Sequence, residues 1–200
     1  MPMSERLITV DVTFDGCDYR EDDLAILRDE FSAVGLVHVS AGWAPAAGPA
    51  AGVHIVLTFF GSTLAGAVAG QLVNKAWASL VGAWRSYRNR RRDAGALEPL
   101  LSRLVFRATD FDVEIDGLID LDLDKVLRLL ELVSDRATHG GLANQPIRRI
   151  VIPAKKDRGE WRTLHPQEGV KGANLDVWWV QPRTGDSALG YYDAKRDRWL

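Results

Sequence analysis

An uncharged stretch of 44 residues, Phe31 to Asn74, most constrains what this chain can fold into. About one residue in four of the whole chain is charged (26%), so a run of this length without Asp, Glu, Lys or Arg indicates a segment removed from water. Six basic residues and no acid follow in 75–92, and seven acids against two arginines follow in 103–124. The sequence therefore predicts a segment buried either in protein or in lipid.

Composition excludes several classes of protein. With 200 residues, 46% of them hydrophobic, the chain is long enough for one domain, or one domain with an appendage, and wholesale disorder is excluded. A net charge of −2 argues against a dedicated nucleic-acid binder. The single cysteine, Cys17, excludes an internal disulfide and a four-cysteine zinc site, and it fits a reducing compartment. We expect no secretory signal and a cytoplasmic protein, with membrane association as an option.

Hydrophobic periodicity predicts an α+β fold. Alternation over 7–14 predicts a strand, an amphipathic pattern from Leu24 to Phe31 predicts a helix, and 36–41 reads as a second strand. A second set repeats this order, with a strand at about 103–116, a helix at 122–137 and a strand at 148–152. The order βαβ…βαβ is that of a ferredoxin-like sheet.

Two further segments complete the predicted organisation. A Pro/Gly/Ala linker at 42–52 precedes an inserted apolar helix, continuous or in two pieces, at about 53–92. The C-terminal part, 154–200, reads as a β-hairpin extension. We therefore expect an α+β domain over 1–153, with the extension appended.

The apolar helix has features of a membrane-contacting segment. Residues 55–73 contain 12 hydrophobic residues and three glycines, close to the roughly 20 apolar residues that a membrane span needs. Ser62, Gly66 and Gly70 fall at four-residue spacing, a pattern that allows close packing between helices. The residues that follow resemble an interfacial belt for lipid headgroups: Trp77, Trp84, Arg85, Arg88, Arg90, Arg91 and Arg92.

Other observations favour burial in protein. Alanine and glycine contribute little to membrane insertion, and the pattern turns amphipathic beyond Gln71. A single span would also place the two βαβ units on opposite sides of a membrane, where they could not share a sheet. A surface-lying helix, a re-entrant hairpin, and a helix buried in the chain or an oligomer all avoid that conflict.

Catalytic and metal motifs are not evident. Acidic neighbours disfavour a thiolate at Cys17, and the four histidines have no metal-binding spacing. A partial calcium loop from Asp120 to Glu131 has Lys125 where the sharp turn needs glycine. The acids of 110–116 are expected on a solvated strand face rather than at a paired-carboxylate site, or opposite the Arg85–Arg92 cluster within the chain or on a partner. We expect neither an enzyme nor a bound cofactor or metal.

The first two thirds of the chain resemble a known family. Four features carry the resemblance: the helix Leu24-Ala-Ile-Leu27-Arg28, the Gly/Ala-rich segment 61–70, the Trp- and Arg-rich end 84–92 and the basic-then-acidic strand that follows. Over about 5–137 this pattern resembles the effector-associated constant component proteins of predicted bacterial conflict systems. The resemblance implies a small non-enzymatic component that acts beside an effector protein.

The sequence thus predicts a binding component. It would couple a partner effector to a membrane surface or to an oligomer through the glycine-rich helix, without nucleic acid. The alternative is a ferredoxin-like regulatory or ligand-binding module whose apolar helix is buried core.

Overall fold

The computed structural model describes the greater part of the chain. The described residues are 8–15, 21–32, 36–42, 52–95, 100–116, 123–143, 145–153, 177–182 and 190–200. Within them, the elements in chain order are β1 (Ile8–Asp15), α1 (Glu21–Phe31), β2 (Leu36–Gly42), β3 (Gly52–Phe59), α2 (Leu64–Ala69), α3 (Leu72–Asp93), β4 (Leu100–Arg107), β5 (Asp112–Asp116), α4 (Leu123–Thr138), β6 (Ile147–Ile152), β7 (Val177–Pro182), β8 (Gly190–Asp193) and β9 (Arg198–Trp199). The fold is mixed α+β.

All of these strands belong to one sheet, in the order β2-β1-β3-β4-β5-β6-β7-β8-β9. Three strand–helix–strand units lie side by side, and the two strands of each unit are parallel neighbours: β1 with β2, β3 with β4, and β5 with β6. The units meet through antiparallel pairs, and β7, β8 and β9 continue the sheet as antiparallel neighbours. Parallel neighbours need a crossover of about a dozen residues or more, which the helices supply.

The helices form one layer against the apolar face of this sheet. They contact one another in series, α1 with α3, α3 with α2, and α2 with α4. In the core, Trp77 of α3 stacks on Phe106 of β4 (ring centroids 6.2 Å apart), and Phe59 of β3 stacks on the same ring at 6.5 Å. One continuous hydrophobic cluster therefore lies between sheet and helices.

The predicted apolar helix at 53–92 is corrected in its first part, because residues 52–59 form the strand β3. Val53, Ile55, Leu57 and Phe59 alternate into the core and are at most 1% exposed. The alternation is hard to see in the sequence because Val56, on the opposite face, is also apolar. Among the described helices, none is both long and apolar enough to cross a membrane.

A tight turn and a helix break divide the rest of the uncharged stretch. Gly61 adopts φ 71°, which favours glycine, and the Thr63 hydroxyl then caps α2 by accepting from the Gly66 amide at 3.1 Å. Gln71, in the left-handed region at φ 57°, separates α2 from α3. Helix therefore begins at residue 64 rather than 53.

Two other predictions differ from the structure. The strand expected at about 103–116 is two antiparallel strands, β4 and β5, which turn at 108–111, where the amide of Thr109 bonds the Ser62 carbonyl. The ferredoxin-like order is not confirmed, because the strands of each unit are direct neighbours here, whereas a ferredoxin-like sheet places a strand of the other unit between them. The strand–helix–strand formed by β3, α2, α3 and β4 accounts for the difference.

A carboxylate fastens the C-terminal strands to the end of α4. Asp197 Oδ1 accepts from the Tyr192 hydroxyl and, at 2.9 Å, from the Gly141 amide, and Arg136 lies 3.4 Å from the other oxygen. A Cβ at Gly141 would lie 2.8 Å from the Asp197 carbonyl oxygen, so this approach requires glycine. Burial raises the pKa of Tyr192, which keeps the hydroxyl a donor.

Replacing Trp77 tests whether α3 belongs to the core. We expect Trp77→Ala to lower the free energy of unfolding by about 3–5 kcal/mol, because it empties the space against Phe106. Arg85→Ala, at an exposed position of the same helix, is the control and should change it by less than about 0.5 kcal/mol. Urea unfolding measures both. Equal, small effects would place Trp77 outside the core.

Acid should loosen the Asp197 contacts. The hydrogen bond from Tyr192, followed by that from Gly141, lowers the pKa of Asp197 in the folded chain. The ionised carboxylate therefore contributes to stability above the pKa of the unfolded chain, about 3.9. This contribution is lost as the pH falls through the lower pKa of the folded chain. We expect Asp197→Asn to reduce the melting temperature at pH 7, with the difference from wild type closing in acid. Asp93→Asn, at an exposed helix end, is the control. A difference that does not change with pH would contradict this assignment.

Candidate interaction surface

The face of the sheet opposite the helices is the candidate interaction surface, and we call it the open face. Strand register defines it, because directly paired residues lie on the same side of a sheet. Its central row runs across eight strands: His38, Asp11, Val56, Val105, Glu114, Val151, Trp179 and Tyr191. The flanking rows contain Ser40, Thr13, His54, Arg103 and Asp116 on one side, and Leu36, Thr9, Thr58, Arg107, Asp112, Arg149 and Gln181 on the other.

An ion-paired zone occupies the middle of the open face, on β4, β5 and β6. Glu114, only 7% exposed, lies between Arg103 (Nε to Oε1, 3.0 Å) and Arg149 (Nη1 to Oε2, 3.2 Å). Arg103 Nε also reaches Asp116 Oδ1 at 2.7 Å. A carboxylate this buried is tolerated because two guanidinium groups compensate it.

A second, more exposed pair extends this zone. Arg107 Nε donates to Asp112 Oδ2 at 3.2 Å, with half of the arginine side chain exposed. The acids of β5 therefore have partners on the neighbouring strands, with three arginines against three carboxylates over the zone. The balance of charge makes this part of the surface close to neutral overall.

Aromatic side chains occupy the β7–β8 end of the open face. Trp179 and Tyr191 are cross-strand neighbours whose rings meet edge to face, with centroids 6.4 Å apart. Tyr191 is 55% exposed, and Val151 lies beside Trp179 on the adjacent strand. Exposed aromatic side chains flanked by charged groups are enriched in protein interfaces.

The β2–β1–β3 end of the open face is polar and mostly uncharged. The hydroxyls of Thr13 and Ser40 share a hydrogen bond of 3.2 Å between the two strands, and Asp11 pairs in register with His38. Among the described residues, no group of three His, Cys, Asp or Glu side chains is arranged to hold a metal ion. Cys17, Asp120 and Asp122 lie outside the described residues.

The structure places the predicted helix-packing residues at the surface of the chain. Gly66 and Gly70 lie on the exposed side of α2, and Ser62 is half-buried in the turn before it. A Cβ at Gly70 would lie 2.9 Å from the Gly66 carbonyl oxygen, so Gly70 is required by the fold of α2 itself. All six residues of α2 are uncharged, and Phe60, in the turn before it, is 51% exposed. The outer side of this short helix is therefore uncharged.

The predicted interfacial residues divide between core and surface. Trp77 and Trp84 are 1% and 5% exposed, so both rings contribute to the core rather than to a belt at the surface. Their burial follows from the amphipathic pattern of α3, which directs both toward the sheet.

The arginines of this cluster have different surroundings. Arg91 is 4% exposed, whereas Arg85 and Arg92 are exposed and Arg88 is half-buried. Arg90 pairs with Glu30 of α1 at 2.6 Å, which holds α1 and α3 together. The cluster thus joins two helices and also presents positive charge at the end of α3.

Sequence reasoning missed Arg103, Arg107 and Arg149 as partners of the β5 acids. The signal was present in part, because Arg103 and Arg107 on β4 are four residues apart, the same separation as Asp112 and Asp116 on β5. Reading 103–116 as one strand hid the pairing, since the two groups then share one strand instead of facing each other.

Comparisons with known proteins give no match: no protein-family model, curated protein or solved structure is similar to this chain. The resemblance to effector-associated constant component proteins therefore stays a prediction.

Substitution of Glu114 tests the ion-paired zone. We expect Glu114→Gln to lower the free energy of unfolding by about 1–3 kcal/mol, because two arginines lose the charge that compensates them in a nearly buried position. Asp112→Asn removes the more exposed pair and should cost no more than about 1 kcal/mol. Chemical unfolding of both variants measures the difference. An equal cost for the two would contradict the role given to Glu114.

Proposed function

We propose that this chain is a non-enzymatic interaction component, an adaptor that binds a partner protein through the open face of its sheet. The partner would be an effector of a bacterial conflict or signalling system, as the sequence resemblance implies. One observation supports this most: the described helices cover one face of the sheet, while the other carries an ordered charged and aromatic surface.

The chemistry of the open face suits a protein partner. Its ion-paired zone balances arginines against carboxylates, so it lacks the excess positive charge that attracts a nucleic-acid backbone. The aromatic end offers Tyr191 and Trp179 as anchors, residue types enriched among those that dominate binding energy. Mixed charge beside an aromatic anchor is the composition of a transient protein interface.

Coupling to a membrane surface is the second part of the proposal. Arg85 and Arg92 are exposed on α3, where a cationic helix end would meet anionic headgroups peripherally. Co-sedimentation with vesicles that contain phosphatidylserine, against vesicles of phosphatidylcholine alone, tests it. Binding to neither would remove this part and leave the protein-binding part intact.

The alternative is a regulatory or ligand-binding module, ferredoxin-like in the sequence prediction, whose apolar helix is core. The burial of Trp77, Leu80 and Trp84 in α3 favours the core assignment. Such a module would need a small-molecule ligand, and the open face would then be required for that ligand rather than for a protein.

A matched pair of aromatic substitutions tests the adaptor proposal. Tyr191→Glu alters the open face, and Phe60→Glu, at 51% exposure against 55%, alters the turn before α2. Each chain is tagged, expressed in its native cells and purified with its bound partners, which mass spectrometry identifies. We expect Tyr191→Glu to reduce recovery of a specific effector about tenfold, a loss of about 1.4 kcal/mol, and Phe60→Glu to leave it unchanged.

The reverse result would contradict the use of the open face. If only Phe60→Glu reduced the recovery of the effector, the binding surface would lie on the uncharged side of α2. Absence of any specific protein partner for the wild-type chain would favour the ligand-binding alternative.

A further inference from the structure

The two ends of the sheet differ in how they are protected from further pairing. One end is β9, which has two residues, one of them charged, and is followed by Leu200, whose amide bonds the Tyr191 carbonyl. The other end is β2, which has seven residues. Within the described part of the chain, no strand pairs with the outer edge of β2.

The sequence and register of β2 lack the charges, prolines and bulges that usually prevent strand edges from associating. Its sequence, Leu-Val-His-Val-Ser-Ala-Gly, contains no Lys, Asp, Glu, Arg or Pro, and its register with β1 is regular over seven residue pairs. Natural edge strands are normally short, bulged, or marked by charge or proline. Leu36 is 48% exposed on this edge, and His38 and Ser40 are also exposed.

We propose that two copies of this chain pair through their β2 strands, antiparallel, about a two-fold axis at Val39. This register sets Val39 opposite the partner's Val39, His38 opposite the partner's Ser40, and Leu36 opposite the partner's Gly42. It aligns all seven residues of the strand. A register centred on His38 would pair only five residues and would set two histidines opposite each other.

The geometry of such a pair agrees with both faces of the sheet. A two-fold axis perpendicular to the sheet keeps the two helical layers on one side and the two open faces on the other. Val37 and Val39, partly buried against the core, would then continue the apolar face across the junction. On the open face, the His38 imidazole of each copy lies opposite the Ser40 hydroxyl of the other copy, so no like charges face each other.

The absence of charge favours a second copy as the occupant of this edge. A strand that pairs with itself antiparallel must tolerate its own sequence reversed, and a charged residue at its centre would oppose its own copy. The seven residues of β2 meet that condition. Since a single strand pair makes a small interface, the dimer should be weak and dependent on concentration.

Charge placed at two positions of β2 tests the register directly. His38→Lys with Ser40→Lys sets lysine opposite the partner's lysine twice in the dimer. His38→Lys with Ser40→Glu sets lysine opposite the partner's glutamate twice. Both variants lose the Thr13–Ser40 hydrogen bond and carry a lysine at position 38 beside Asp11, so they differ only in the charge at position 40. Analytical ultracentrifugation from about 1 µM to about 1 mM gives the dissociation constants.

We expect the wild-type chain and the lysine–glutamate variant to dimerise, and the dissociation constant of the lysine–lysine variant to be at least about tenfold higher. A wild-type chain that stays monomeric over this range overturns the proposal, whatever other strand its edge accepts. Equal dimerisation of both variants also overturns it, because the interface then lies elsewhere.

A second measurement needs no substitution. Amide exchange of 36–42 in the wild-type chain should slow as concentration rises, and rates that are independent of concentration in a dimeric sample would contradict pairing through β2.

Discussion

Burial of one face of the sheet of β1 to β9 under the described helices is the constraint on which the rest of this structure depends. A row of aliphatic side chains from Val12 through Ile55, Leu104 and Ile115 to Ile152 runs across that face and excludes water from one side of every strand that it crosses. β3 lies between β1 and β4, and Trp77 of α3 stacks on Phe106 of β4, the ring on which Phe59 of β3 also stacks. The uncharged stretch contains β3, the central strand of this junction.

The character of the open face follows from that arrangement. On the side away from the described helices, β5 presents the acids Asp112, Glu114 and Asp116. Arginines on β4 and β6 compensate these acids across the strands, and Glu114 lies almost buried between two of them. The same pairing removes the net charge that would attract a polyanion, and this favours a protein as the partner of the surface.

Much of the secondary structure could be predicted from sequence because its periodicity is clear. The strand at β1 and the helix at α4 lie within one or two residues of their predicted positions, since one alternates cleanly and the other has a continuous apolar stripe. β3 could not be predicted, because Val56 on the open face interrupts the contrast between its two sides. An apolar run of this length is equally compatible with helix and strand when considered alone.

The candidate surface was harder to predict than the elements. Glu114 and Arg149 are 35 positions apart in the sequence, and only the strand order brings them together. For Trp84, the sequence predicted a surface position that the structure does not show. A tryptophan beside arginines is typical of a membrane interface, and here the helix directs its ring into the core.

Residues 53–59 form a buried strand that is paired on both sides. Backbone NMR in aqueous buffer without detergent tests it most directly, through the carbon chemical shifts and the amide exchange rates of these residues. We predict strand-type shifts and amides among the slowest to exchange in the protein, since β3 is paired on both sides. Helical shifts for 53–59, or fast exchange of their amides, would contradict a buried strand at these residues.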